Sequence, residues 1–265
     1  QGHFIFEKQP EKTIRFWGTN LAQSALFPTH EEADKLAATL AADGYNSVRL
    51  HQYERSLVDR QAADTLTFDP EQLDRFFYLI AALKARGLYL CTDLYSTRPI
   101  RPGDNIAECA KADGMERKVL NFFSPSAMEN WKAYAEKLLT TRNPYTRLTL
   151  AEDPALYMVC LDNEAPILET WDQFPLVAHI PEESFRRACK ERNLPVPSDP
   201  AEYRRAFRSY LGERQSATQC EQSEFLRQLG CRFHIDQAIG SIAQERAQAL
   251  GLVLPWHHDG RKPVV

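Results

Sequence analysis

The sequence predicts an α/β protein built from repeated strand and helix units, the arrangement of a (β/α)₈ or TIM barrel. Short apolar runs rich in β-branched and aromatic residues end in polar residues, and most are followed by a capped amphipathic helix. About five such units can be recognised, whereas a closed barrel needs eight. We therefore expect one barrel domain over residues 1–265, incomplete in this chain.

The first unit shows the pattern most clearly. Its strand is predicted over residues 14–20, and its helix begins at Thr29, where Glu32 completes a capping box. Gly44 supplies the stop at the carboxyl end of that helix. Because Trp17 lies within the predicted strand, we expect it in the core.

The second and third units follow the same order. The second strand is predicted at residues 47–51, and its helix begins at Asp69, which a proline follows. The third strand is predicted at residues 88–95, before a long loop over residues 98–114 and a helix capped by Ser126. Loops of that length are usually functional, so we expect this one to lie near the site.

The fourth strand carries the chemistry of the prediction. It spans residues 155–162, a nearly continuous apolar run typical of a parallel strand covered on both faces. A charged, proline-containing excursion over residues 165–224 follows, which we expect to overhang the barrel mouth. A helix over residues 223–250 and a fifth strand over residues 252–256 complete the prediction.

The number of units leaves two alternatives open. Only nine residues follow Trp256, although three more units would close a barrel. Either the chain is part of a longer protein, or strands are missed, for example near residues 176–180. A truncated barrel would expose a sheet edge and apolar faces, so in that case we expect self-association.

Composition excludes several classes of partner. The 32 basic and 36 acidic residues nearly balance, with no run of five like charges, so no nucleic-acid partner and no anionic membrane surface is expected. No run of 18 apolar residues predicts a membrane span. The six cysteines lack zinc-ligand spacing, and Cys91 and Cys160 fall in apolar strands, where we expect buried thiols.

Polar residues that terminate the predicted strands form the candidate site, because the carboxyl ends of parallel barrel strands meet at one mouth. These residues are Asn20, Arg49, His51, Asp93, Tyr95, Asn163, Glu164 and the segment from Trp256 to His258.

Glu164 is the candidate general acid. Cleavage of a glycosidic bond needs a carboxylic acid that protonates the departing oxygen. Because Glu164 emerges from an apolar strand, we expect its carboxyl to be partly desolvated, which would keep the proton available. Asn163 beside it can donate a hydrogen bond to a sugar 2-hydroxyl. An isolated Asn-Glu pair is weak evidence for a catalytic acid. The position of this pair at the end of the fourth strand makes the evidence stronger.

Several motifs in order along the chain resemble the clan of (β/α)₈ glycoside hydrolases that includes the cellulase-like family 5. They lie at residues 16–20, 44–51, 92–95, 143–146, 153–156 and 163–164. The resemblance implies a retaining two-carboxylate mechanism, with Glu164 as acid/base and Arg49 supporting the nucleophile. In that family the nucleophile is a Glu ending the seventh strand, and no residue of this chain matches it.

The remaining site residues are predicted to bind an oligosaccharide or polysaccharide without a cofactor or a metal. Arg49 suits a bidentate contact to a carboxylate, with a salt bridge inside the barrel as the alternative. His51 is either a hydrogen-bonded wall residue or a substrate contact. Asp93 and Tyr95 either bind sugar hydroxyls or cap the loop. Trp256, like Trp171, offers an indole face for a pyranose ring.

Two other functions remain open. A metal-dependent barrel hydrolase is suggested by His51, His257, His258 and Asp259, although the first strand lacks a His-x-His pair. A non-catalytic carbohydrate-binding barrel follows if the second carboxylate is absent. Cleavage of polysaccharides would favour a secreted or periplasmic location.

Overall fold

The computed structural model describes residues 4–6, 8–106, 114–165, 167–171, 177–231 and 234–236. An antiparallel hairpin of β1 (Phe4–Phe6) and β2 (Gln9–Ile14) comes first. Five parallel strands then form one sheet in chain order. They are β3 (Gly18–Ala22), β4 (Ser47–His51), β5 (Tyr89–Asp93), β6 (Leu156–Cys160) and β7 (His234–Asp236). Parallel strands in sequence order, joined through helices, make up the wall of a barrel.

Eight α-helices occur within the described residues. They are α1 (His30–Ala42), α2 (Glu54–Leu57), α3 (Pro70–Ala85), α4 (Gly114–Phe123), α5 (Pro125–Thr140), α6 (Ile167–Thr170), α7 (His179–Glu191) and α8 (Pro200–Gln228). Short 3₁₀ helices cover Gln23–Leu26 and Pro102–Asp104. None of the helices in the described ranges has the length and apolarity to cross a membrane.

The predicted caps of the first two helices are confirmed. The Thr29 hydroxyl accepts a hydrogen bond from the Glu32 amide at 3.3 Å, and the Glu32 carboxylate accepts one from the Thr29 amide at 2.8 Å. Gly44 follows α1 with φ of +85°, a conformation that side chains disfavour. Asp69 caps α3 by accepting from the Gln72 amide at 3.0 Å.

The main core lies between the sheet and the helices α1, α3 and α5. Val48 and Leu50 of β4 and Leu90 of β5 are completely buried there. Phe76 of α3 and Trp131 of α5 pack into the same core. Burial of each such side chain stabilises the fold by about 1.5 to 3 kcal/mol. Because these strand residues point toward the helices, the alternate residues of the same strands point toward the barrel axis.

The first predicted strand is wrong in its bounds. Residues 15–17 lie outside any strand and separate the β1–β2 hairpin from β3. Trp17 is 70% exposed and is therefore not a core residue, contrary to the prediction. The neighbouring Phe16 is partly buried instead, and its ring stacks on that of Tyr157 with 3.7 Å between centroids.

The helix after the third predicted strand is also corrected. Ser124, not Ser126, is the cap of α5, and its hydroxyl accepts from the Ala127 amide at 3.3 Å. The sequence predicts one long loop over residues 98–114 and no helix before residue 126, whereas α4 covers Gly114–Phe123. This missed helix lies over the carboxyl ends of the strands and supplies residues to the site.

The excursion after β6 forms a second helical layer with its own apolar core. Leu120 and Phe122 of α4 pack with Phe185 of α7 and with Phe207 and Leu211 of α8. Arg214 of α8 donates two hydrogen bonds, at 3.1 and 2.6 Å, to the carbonyl oxygen of Phe122. The excursion is therefore fixed to α4 and does not project freely.

The predicted end of the chain is wrong where it can be compared. The helix expected over residues 223–250 is the end of α8, which stops at Gln228 and is followed by Gly230 with φ of +83°. β7 pairs with β6 within the stretch predicted as helix, and the predicted strand over residues 252–256 lies outside the described residues. Of the alternative strand near residues 176–180, the described residues 177 and 178 form a turn, and residues 179 and 180 begin α7.

We predict that Thr29→Ala lowers the free energy of unfolding by about 1 kcal/mol, because the first turn of α1 loses its capping acceptor. Denaturant unfolding measures the change. Thr39→Ala in the same helix is the matched control, since Thr39 is exposed and caps nothing. Equal losses in the two variants would contradict the role of the capping box.

Candidate active site

The carboxyl ends of β4, β5 and β6 bring four of the predicted residues together. Arg49 donates to the Asp93 carboxylate from Nε at 3.1 Å and from Nη2 at 2.7 Å. The same Nη2 donates to Oδ1 of Asn163 at 2.7 Å. His51 Nδ1 forms a short hydrogen bond with the other Asp93 oxygen. The three strand ends are thus joined by one polar cluster.

Asp93 is the centre of this cluster. Its side chain has no exposed surface, so its charge must be compensated by neighbouring donors. Burial disfavours the charged form of Arg49, but the Asp93 carboxylate outweighs that effect and raises the pKa of Arg49. Asp93 therefore anchors Arg49 and His51, a role different from the two predicted ones, which were contact with sugar hydroxyls and capping of the loop.

His51 is oriented by the same carboxylate. A carboxylate oxygen only accepts, so the shared proton lies on Nδ1 of His51. In the neutral imidazole this leaves Nε2 as an acceptor. The side chain is 15% exposed, so the ring forms part of the wall with a small accessible area. The buried Tyr53 hydroxyl donates a hydrogen bond to the Asp93 carbonyl oxygen and so stabilises the end of β5.

The Asn163 side chain has a fixed orientation. A guanidinium group only donates, so the atom facing Arg49 must be the amide oxygen. The amide nitrogen is therefore directed away from Arg49, where it can donate to another group. The Asn163 backbone amide donates to the Tyr95 carbonyl oxygen at 2.8 Å, which ties the segment after β6 to the segment after β5.

Glu164 lies next to this cluster, in a turn after β6. Its φ is +50°, the left-handed region that residues other than glycine seldom adopt. The Glu164 side chain is exposed, so the expected partial desolvation is wrong for this structure. Lys118 of α4 donates from Nζ to the Glu164 carbonyl oxygen at 3.3 Å. Strained backbone of this kind is concentrated at functional sites.

Two buried carboxyl groups near the strand ends were not predicted. Asp162 accepts from Nδ2 of Asn121 at 2.8 Å and from Nε2 of Gln222 at 2.7 Å, and burial raises its pKa. Glu54 accepts from the Ser96 hydroxyl at 2.8 Å, and burial raises its pKa as well. Asp162 could have been noticed as the polar end of the fourth strand, whereas Glu54 had no sequence signal.

Tyr95 does not reach the barrel mouth. It is completely buried, and its hydroxyl donates to the Arg98 carbonyl oxygen at 3.0 Å. The guanidinium carbons of Arg98 and Arg117 lie 5.9 and 5.5 Å from its ring centroid. Burial, with the nearby charge of Arg98, lowers the pKa of Arg117 to about 9. Tyr95 thus supports the loop after β5, the second of its two predicted roles.

The other predicted residues contribute little to the described site. Asn20 is exposed on β3. Trp171 is partly buried, and its ring packs against Phe207 inside the excursion in a T-shaped arrangement with 4.7 Å between centroids. Trp256 and the segment that follows it lie outside the described residues. Within the described ranges, no group of three His, Cys, Asp or Glu side chains could hold a metal ion.

The fold is similar to that of known barrel enzymes. The endo-1,4-β-mannanase from Rhizomucor miehei matches with a TM-score of 0.54 and 15% identity, over 84% of this chain and 56% of that chain. The predicted barrel fold is therefore confirmed. An endo-β-1,4-mannanase from Thermotoga petrophila (TM-score 0.49, 16% identity) matches over 84% of this chain and 42% of that chain.

A glycoside hydrolase family 5 mannosidase from Rhizomucor miehei also matches, with a TM-score of 0.44 and 12% identity over 84% of this chain and 68% of that chain. The chain spans only 42% and 56% of the two mannanases. No known family profile and no curated protein sequence matches the chain. At 15% identity the likeness to the mannanase from Rhizomucor miehei establishes a shared fold.

We predict that Asp93→Asn lowers the free energy of unfolding by about 3 kcal/mol, because Arg49 loses its buried countercharge. Denaturant unfolding measures the loss. The double variant Asp93→Asn with Arg49→Met removes both charges, so its loss should be smaller than the sum of the single losses. Additive losses would contradict the coupling of the two side chains.

We also predict that the stability contributed at Asp162 depends on pH. An acid whose pKa is raised on folding binds its proton more tightly in the folded protein. Its contribution therefore falls as the pH rises from about 4, the unfolded value, through the folded pKa. Asp162→Asn removes this contribution. As the pH rises, the free energy of unfolding of the variant should therefore increase relative to that of the wild type.

The substitution is suited to the site, since Asn121 Oδ1 and Gln222 Oε1 have no hydrogen-bond partner among the described atoms and can accept from the new amide. Denaturant unfolding between about pH 4 and pH 8 measures the difference. A difference that stays constant with pH would contradict the raised pKa of Asp162.

Proposed function

We propose that this protein is a glycoside hydrolase that cleaves O-glycosidic bonds of an oligosaccharide or polysaccharide, with Glu164 as general acid and base. One observation carries the proposal: an exposed carboxyl follows Asn163 at the end of β6, beside the cluster formed by Arg49, His51 and Asp93. A proton donor in the mouth of a barrel, next to oriented hydrogen-bonding groups, is the arrangement that glycoside cleavage requires.

Each residue of the cluster has a distinct part in this proposal. Glu164 gives its proton to the oxygen of the departing sugar as the bond to the anomeric carbon breaks. Asn163, with its oxygen held by Arg49, uses its amide nitrogen to donate to the 2-hydroxyl group. His51 contacts the sugar through its accessible edge. Arg49 and Asp93 hold the other two in place.

A retaining mechanism also needs a second carboxylate about 5 to 5.5 Å from the first. Asp93, Asp162 and Glu54 are buried and already accept hydrogen bonds from protein groups. We therefore assign none of them as the nucleophile. The retaining mechanism itself rests on the family resemblance, and determination of the anomeric configuration of the first product by NMR would test it.

The substrate class is proposed on the same grounds. Arg49 and Asp93 compensate each other's charge within the cluster, so the Asn163 amide and the His51 ring are the uncharged groups left to meet a substrate. A neutral polysaccharide fits such a mouth. Because the structures of similar fold include mannanases, β-1,4-mannan is the first substrate to test, with cellulose and xylan beside it.

We predict that Glu164→Gln reduces kcat by about 10²-fold to 10⁴-fold on substrates with poor leaving groups, because the proton donor is lost. Activated aryl glycosides need little protonation, so their hydrolysis should suffer much less. Steady-state kinetics with a series of aryl glycosides measures the effect.

Glu31→Gln is the matched control, since Glu31 is exposed on the outer surface of α1 and pairs only with Lys35 among the described residues. Equal losses over the whole series of leaving groups would exclude Glu164 as the acid. Binding of oligosaccharides without turnover, unchanged by Glu164→Gln, would favour a carbohydrate-binding barrel instead.

A further inference from the structure

A lysine on α4 lies beside the proposed acid/base. Lys118 is only 5% exposed, and its Nζ donates to the carbonyl oxygen of Glu164 at 3.3 Å. Among the described residues, this ammonium group donates no other hydrogen bond. The contact is made by a helix that follows β5, so it links two successive segments at the barrel mouth.

The charges around Lys118 are mostly negative. Its ammonium group interacts electrostatically with the carboxylates of Glu164, Asp162 and Glu54. Burial lowers the pKa of Lys118, and the Glu164 charge is the largest influence that opposes this. A cation is therefore held in a desolvated position near the group that changes charge during the proposed reaction.

The contact also acts on the backbone of Glu164. This residue has φ of +50°, which costs about 1 kcal/mol or more unless the surroundings hold it. A charge-assisted hydrogen bond to its carbonyl oxygen restrains the peptide plane after Glu164. Because the Cα–Cβ bond leaves the same backbone segment, this hydrogen bond also restricts the direction in which the side chain starts.

We propose that Lys118 is a positioning residue that holds Glu164 toward the glycosidic oxygen and stabilises the carboxylate left behind when Glu164 gives up its proton. This inference rests on the proposed function. As the proton moves from Glu164 to the departing oxygen, negative charge grows on the carboxyl group. A fixed cation that is already desolvated lowers the energy of that state without reorganising.

Lys118 is not needed to fix α4 in place. Asn121 ties this helix to Asp162, and Arg214 of α8 ties it to the Phe122 carbonyl oxygen. Leu120 and Phe122 anchor its apolar side. Lys118→Met, which keeps the length of the side chain and removes the charge, should therefore leave the fold intact, as circular dichroism and thermal unfolding can verify.

The test compares Lys118→Met and Lys118→Arg in the full protein, using aryl glycosides with leaving groups of different acidity. We expect Lys118→Met to lower kcat by about 10-fold to 100-fold on poor leaving groups, with KM nearly unchanged, and much less on activated ones. Lys118→Arg, which keeps the charge, should recover part of the rate. Lys35→Met, on the exposed surface of α1, is the control.

A double-variant cycle with Glu164→Gln shows whether Lys118 acts through Glu164. On a substrate of intermediate leaving-group acidity, for which each single variant loses measurable rate, Lys118→Met should cost little in the Glu164→Gln background, because the carboxyl group that Lys118 positions is already gone. The proposal is overturned if kcat of Lys118→Met equals that of the wild type, if the loss is the same for every leaving group, or if the losses multiply in the double variant.

A measurement without substrate separates this inference from the proposed function. In ¹⁵N-detected NMR, the Lys118 ammonium signal should shift on Glu164→Gln, and its titration midpoint should fall, because the Glu164 charge raises the pKa of Lys118. An unchanged signal overturns the inference. A protein that hydrolyses none of the glycosides, yet shows the shift, overturns the proposed function and leaves the contact between Lys118 and Glu164 standing.

Discussion

The arrangement of the mouth depends on the buried carboxylate of Asp93. A charge without solvent contact is tolerated only when donors surround it, and here Arg49 and His51 of the neighbouring strand supply them. Arg49 in turn holds the oxygen of Asn163, so the ends of three strands have one relative geometry. The compensation of the Asp93 charge therefore sets the direction in which the Asn163 amide donates. It also sets the place where the backbone of Glu164 follows Asn163.

A second constraint comes from the helical layer over the strand ends. Asp162, directly before the Asn-Glu pair, is clamped between Asn121 of α4 and Gln222 of α8. Its burial raises its pKa, so the folded protein carries an energetic cost that the two amide donors reduce. The long excursion is therefore part of the site, because it encloses the segment that carries Glu164.

The sequence was informative where the signals are local. Thr29 with Glu32, and Asp69 before a proline, marked two helix starts correctly, and the strand at residues 47–51 was predicted with its observed bounds. In α4, by contrast, the buried charges of Arg117 and Lys118 interrupt the apolar periodicity on which helix prediction relies. α4 is thus a missed helix whose polar residues are buried by tertiary contacts that no local pattern records.

The exposure of Glu164 can be understood from the same contacts. An acid that must reach a substrate oxygen cannot be enclosed by the apolar strand beneath it, and the turn with φ of +50° directs the chain away from that strand. The desolvation expected from the sequence would then come from a bound sugar, which excludes water when it enters the mouth. Under the two proposals made above, Lys118 and Asn163 supply direction and charge, and the substrate completes the environment in which the proton is transferred.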